Sequence, residues 1–192
     1  MKSKRKVILV TDGDEVARQA IEVASKNVGA EAISASAGCP TFWSGNELVN
    51  LIIQSEHDPV VVMFDDKGVK GKGKGERALE YVAKHTDIEV LGVLAVASNT
   101  YAPGVRVDTS ITKDGQFVSG PVNKFGRRSP RYIKNLHGDT LDILKHLDIP
   151  IIIGIGDIGK MNGADDYRNG AKITTKAFQE ILNRSGFHGS SS

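Results

Sequence analysis

Four runs of aliphatic and β-branched residues constrain this chain more than any other feature. They are "KVILVT" at 6–11, "PVVVMF" at 59–64, "IEVLGVLAVAS" at 88–98 and "PIIIGIG" at 150–156. Each is too continuously apolar for a strand with one wet face, so each is expected to be covered on both sides. Segments with helical spacing alternate with them. "DEVARQAIEVASKNV" carries a broad apolar face ending near Gly29, and "SGNELVNLIIQSE" has Ser44 and Glu47 in capping-box spacing. "GERALEYVAKH", "GDTLDILKHL" and "GAKITTKAFQEILNRSG" also read as helices. "AEAISAS" at 30–36 is a short further strand.

Strand–helix alternation of this kind predicts an α/β fold: one doubly wound, mainly parallel, five-stranded sheet with helices on both faces. The stretch 106–122 alternates around a "KDGQ" turn and is expected to be a hairpin insertion outside that rhythm. The expected organisation is a single α/β domain over 1–186 with a flexible tail at 187–192.

Composition narrows the function classes. A net charge of +2 gives no bulk attraction for nucleic acid, and none is expected as a partner. No apolar run approaches the ~20 residues of a membrane span, and the basic head "MKSKRKV" meets a strand without a signal peptide's apolar region. The only cysteine, Cys39, cannot form an internal disulfide and reads as a buried structural thiol.

In parallel sheets ligands bind beyond the carboxyl ends of the strands. Three predicted strand ends carry aspartates: Asp12 and Asp14 in "VTDGDE", Asp65 and Asp66 in "MFDDKG", and Asp157 in "GIGDIG". Converging carboxylates suit magnesium or calcium, and Asp12, Asp65 and Asp66 are the candidate ligands. Aspartates at such corners also serve as helix N-caps, so both uses stay open. After Asp66 comes a glycine-rich loop with Lys67, Lys70, Lys72 and Lys74. Its lysines and glycines can hold an anion or form a mobile tip, and the tip is the expected state of the free protein. Trp43, in "SAGCPTFWSG", can wall a ligand site or plug the end of the sheet. "GKMNGADD" is expected to be another flexible loop at the same edge.

"VILVTDGDEVARQAIEVA", "VVVMFDDKG", "IEVLGVLAVAS", "HGDTLDILKHL", "PIIIGIGDIGKMNGADD" and the C-terminal helix together resemble the stage V sporulation protein AE family of spore-forming Firmicutes. The resemblance implies a soluble accessory subunit of the apparatus that moves calcium and dipicolinic acid into the forespore and out during germination. It implies membrane subunits of that apparatus as partners, a homo-oligomer as an option, and a location in the forespore, free or peripheral at the spore inner membrane. It implies no catalytic residues and no obligatory cofactor, leaving magnesium or calcium open. The acidic corners also look like those of toprim domains, the magnesium-dependent phosphoryl-transfer modules of primases and topoisomerases. Asp12 and Asp14 form the D-x-D of that pattern, but its separate glutamate-bearing strand is missing.

Overall fold

The computed structural model describes residues 3–68, 71–100 and 102–187. Lys70 and the tail beyond Phe187 therefore lie outside the described residues.

The first apolar run forms β1 (Arg5–Val10), whose last four side chains are fully buried. Burial of each such side chain is worth about 1.5–3 kcal/mol relative to exposure. α1 (Glu15–Asn27) follows, capped by Asp14, and Gly29 takes the left-handed conformation (φ 74°) just beyond its end. The short β2 (Glu31–Ala32) leads to α2 (Gly45–Gln54), where Ser44 and Glu47 form the expected capping box. β3 (Val60–Met63), α3 (Lys74–Lys84) and β4 (Ile88–Val96) complete the first half. β5 (Thr109–Ile111), β6 (Phe117–Val118), β7 (Ile152–Ile155) and α4 (Lys172–Arg184) make up the second.

These strands form one sheet in the order β2-β3-β1-β4-β7-β5-β6. All neighbours are parallel except β5 and β6. α1 and α4 cover one face, packing Ile21, Ala177, Phe178 and Ile181 on the sheet. α2 and α3 cover the other, with Leu48, Ile52, Leu79 and Val82. Alternate residues of one strand serve opposite cores: Ile8 and Val10 face the first, Val7 and Leu9 the second. Double coverage explains why the runs are apolar without alternation.

The sheet has seven strands, not the expected five, because the hairpin is part of it. β5 lies parallel to β7 and turns through Gly115 (φ 76°) into β6. Without it the outer edge of β7 would present unpaired backbone groups. Asp108 extends the seal, its carboxylate accepting from Ile152 N at 2.6 Å. The "GDTLDILKHL" helix is also shorter than expected, a 3-10 turn at Asp142–His146. Thr140 enters it in the left-handed region (φ 61°) and Pro150 soon follows, which leaves no length for helix propagation.

Candidate functional site

The chain leaves β1 for one side of the sheet and β4 for the other, so the two adjacent strands form a topological switch point. Such a point opens a crevice at the carboxyl ends. Here the two strands part where Val96 N donates to the hydroxyl of Thr11 (2.9 Å) while Ala97 N continues to Ile155 O (2.9 Å). A cleft of about 330 Å³ lies over this split. Its walls include Asp12, Asp14, Asp65, Asp139 and Asp157, with Lys124 among them.

Asp12, Asp14 and Asp157 each place a carboxylate oxygen within 4.8 Å of the others. Asp12 follows β1 directly, its Oδ1 accepting from Gly13 N at 2.8 Å. Asp14 divides its oxygens: Oδ1 accepts from Ala17 N (2.8 Å) as the α1 cap, and Oδ2 faces the cleft. Lys160 donates to Asp14 Oδ2 at 3.0 Å and to Asp157 Oδ1 at 3.2 Å. Burial pulls the Lys160 pKa down, but the two carboxylates outweigh it and the ammonium titrates above its usual value. Among the described residues Asp12 receives no such partner. Burial, reinforced by Asp14 and Asp65, pushes its carboxyl up to about 7. Burial likewise raises Asp139, which neighbours Asp65 and Asp66.

Other acids at this edge act as caps. Asp66 is buried, and its carboxylate accepts from Gly75 N (2.6 Å) and Glu76 N (2.9 Å) at the start of α3. The amides of the glycine-rich loop thus do hold an anion, and the anion is the protein's own Asp66. A Cβ on Gly73 would meet Asp66 Oδ1 at 2.0 Å, and one on Gly75 would meet Asp65 O at 2.7 Å. Lys74 reaches Phe42 O and Lys72 pairs with Glu80, so neither points into the cleft. Asp65 turns its Oδ1 onto Lys67 N (2.7 Å), and its own N–H donates to Thr41 Oγ1 (2.8 Å). Trp43 packs partly buried against the α2–α3 core, edge-on to Phe42 at 5.3 Å, away from the cleft.

Two expectations fail locally. Cys39 is exposed at the cleft rim rather than buried. Partial desolvation at the wall, with Asp65 beside it, pushes its thiol up to about 11, which keeps it protonated at neutral pH. The "GKMNGADD" segment is a built turn. Asp165 is fully buried, accepting from Gly159 N, Ile173 N and Thr174 N (each 2.9 Å) and from Thr174 Oγ1 (2.6 Å).

The model of the family described as stage V sporulation protein AE1 matches residues 6–185. The chain belongs to this family. No curated protein and no solved structure is matched by it. The family name ties the protein to sporulation, and among the described residues no helix is long and apolar enough to cross a membrane.

For this member of the stage V sporulation protein AE1 family, sequence reading found Asp12, Asp14, Asp65 and Asp157 but missed Lys160, Lys124 and Asp139. Lys160 was within reach, since a lysine three residues after a strand-end aspartate stands one turn away from it. Lys124 arrives from the insertion, where Asp157 N donates to Lys124 O at 2.7 Å, and no local pattern announces that contact. The resulting cleft holds three carboxylates with oxygens within 4.8 Å of one another, two of them sharing the single ammonium of Lys160.

Proposed function

We propose that this protein is a non-enzymatic accessory subunit of the sporulation membrane apparatus that moves calcium dipicolinate. In this reading the carboxylate cleft is a calcium station, and calcium enters by displacing the ammonium of Lys160. Membership of the sporulation family over nearly the whole chain supports the process. The absence of a membrane-crossing helix among the described residues fits a subunit that works beside integral partners at the forespore membrane.

The observation that carries the calcium reading is the spacing of Asp12, Asp14 and Asp157. Calcium takes oxygens at 2.3–2.6 Å, so two ligands on opposite sides of one ion stand about 4.8 Å apart. The three oxygens fall inside that span, so one oxygen-seeking cation can be shared by all three, and the cargo implied by the family reading makes calcium that cation. Competition from Lys160 weakens the site, which suits a cargo that must be released. An ion held in the ~10⁻⁴–10⁻³ M range can be handed on.

Calorimetric titration with calcium tests this. Lys160→Gln is expected to bind calcium more tightly than wild type, and Asp157→Asn to lose binding. Tightening absent in Lys160→Gln defeats the exchange reading. Normal dipicolinate content in spores carrying Asp157→Asn, with binding lost in vitro, defeats the assignment to cargo movement.

A further inference from the structure

The insertion between β4 and β7 carries a second feature, separate from the acidic cleft. Over residues 124–134, "KFGRRSPRYIK", there are five basic residues and no acidic one. The rest of the chain then holds 20 basic against 23 acidic residues, so the net charge of +2 conceals a strongly cationic segment. Among the described residues, Lys6, Arg18, Lys72, Lys84, Lys145, Lys160, Arg168 and Arg184 all pair with carboxylates. None of the five cations in 124–134 makes such a pair among the described residues; ten basic residues elsewhere are also unpaired there, and what sets this segment apart is five cations within eleven residues with no acid between them.

The segment is held in shape. Asn123 Oδ1 accepts from Phe125 N (3.0 Å) and Arg127 N (3.1 Å), and Asn123 N donates to Arg127 O at 2.8 Å. Ser129 N closes the hairpin on Pro121 O (2.9 Å). Gly126 (φ 70°) lies so close to Met161 and Lys113 that a side chain there would collide with both. Arg128, Arg131 and Lys134 converge on a groove of about 340 Å³ that also exposes Ser119 and Ser129. Arg128 is steered by a hydrogen bond to Ser119 Oγ at 3.3 Å. Two aromatic rings stand among these cations in water: Phe125 is 46% exposed and Tyr132 is 81% exposed.

We propose that this hairpin is a docking surface for an anionic phospholipid membrane, with Arg128, Arg131 and Lys134 on the headgroup phosphates and Phe125 and Tyr132 at the lipid interface. Three cations beside serine hydroxyls supply the donors a phosphate needs. Exposed aromatic rings prefer the headgroup boundary, where one end is apolar and the other wet. A preformed hairpin loses little conformational freedom on docking. A long nucleic acid fits less well: it would track beyond the patch onto a surface with more acids than bases, beginning with the cleft that Lys124 borders. A membrane touches only what protrudes.

The test is co-sedimentation of the full chain with vesicles of neutral phosphatidylcholine alone or mixed with about one-third phosphatidylglycerol. Binding is expected only to the anionic vesicles, and to vanish near 1 M salt, where the Debye length is about 3 Å. One cation near an anionic leaflet is worth about fivefold in partitioning, so the triple variant Arg128→Ser, Arg131→Ser, Lys134→Ser should bind roughly 100-fold more weakly. Tyr132→Ser should also weaken binding with the charge intact. A control with the same charge loss elsewhere, Lys26→Ser, Lys145→Ser, Lys172→Ser, should bind within a few-fold of wild type. All these sites are exposed, so circular dichroism should show each variant folded. Equal binding to neutral vesicles, a triple variant that binds like wild type, or a control that falls as far overturns the proposal. So does oligonucleotide binding through the same three residues without vesicle binding.

Discussion

Replacing Asp12 by Asn should stabilise this protein at pH 8, and by less than half as much at pH 5, where the unfolded carboxyl is already mostly ionised. The Asp12 carboxyl titrates near 3.8 in an unstructured chain and near 7 in the fold. Between those values the folded state holds a proton that the unfolded state has released. Stability therefore falls as pH rises through the window, and the cost is fully present above pH 7. About three pH units at 1.36 kcal/mol each set a ceiling of roughly 4 kcal/mol. Asp12 lies on an open cleft and keeps partial contact with water, which screens the charge. About half the ceiling, ~2 kcal/mol, is the expected gain. The amide oxygen of asparagine can still accept from Gly13 N, so no backbone donor is stranded.

For a chain of this length ~2 kcal/mol moves the Tm by roughly 4–8 °C. Thermal and urea unfolding followed by circular dichroism, in chelator at pH 5 and pH 8, measures it. The difference between variant and wild type matters because Glu76, Asp139 and Asp165 also titrate above the usual carboxylate range. A gain of equal size at both pH values would show that the substitution acts through packing. No gain at pH 8 would show that the Asp12 charge is already compensated, and the account of the cleft would fail.

Asp165→Ala strands four donors, three of them buried, and removes the acceptor of the first amides of α4, and should cost about 4 kcal/mol in urea unfolding. Gly75→Ala drives a Cβ into the backbone of Asp65 and should lower stability by about 2 kcal/mol despite alanine's better helix propensity, whereas Lys72→Ser should leave the Tm nearly unchanged; the pair is read by thermal melts.

The strands of the core were legible because burial on both faces leaves an unambiguous signature in residues such as Val60, Val61 and Val62. The membership of β5 in the sheet was not. Two or three residues such as Thr109, Ser110 and Ile111 announce a hairpin, but their partner, Ile153, lies some forty residues away and leaves no mark in the local pattern. The acids divide in the same way. Position after a strand brought Asp12, Asp65 and Asp157 to one edge, as chain geometry requires. Whether a carboxylate caps a helix or faces a cleft depends on where the next amide falls, and Asp65 and Asp66, neighbours in sequence, differ on this point.

The local basic segment was hidden by averaging, and its separation from the acids explains how both can persist in one small protein. Lys124 stands at the seam: its carbonyl accepts from Asp157 N, and its side chain lies over the Phe125 ring with the ammonium 5.1 Å from the centroid. Among the described residues the remaining cations form no ion pair, and Arg128 donates instead to the Ser119 hydroxyl. Had they folded back onto Asp12, Asp14 and Asp157, the cleft would be neutral and the hairpin uncharged. Among the described residues Lys160 alone pairs with two of these carboxylates, offsetting one charge, from a turn in which Met161, Asn162 and Gly163 all adopt positive φ. In the proposed readings, displacing this one ammonium opens the cleft to a divalent ion, and the unpaired hairpin charge is left for an external anion. If both proposals hold, the two sites differ in salt response: Arg128, Arg131 and Lys134, all exposed, should lose an anionic membrane at ionic strengths at which the carboxylate cluster still binds calcium.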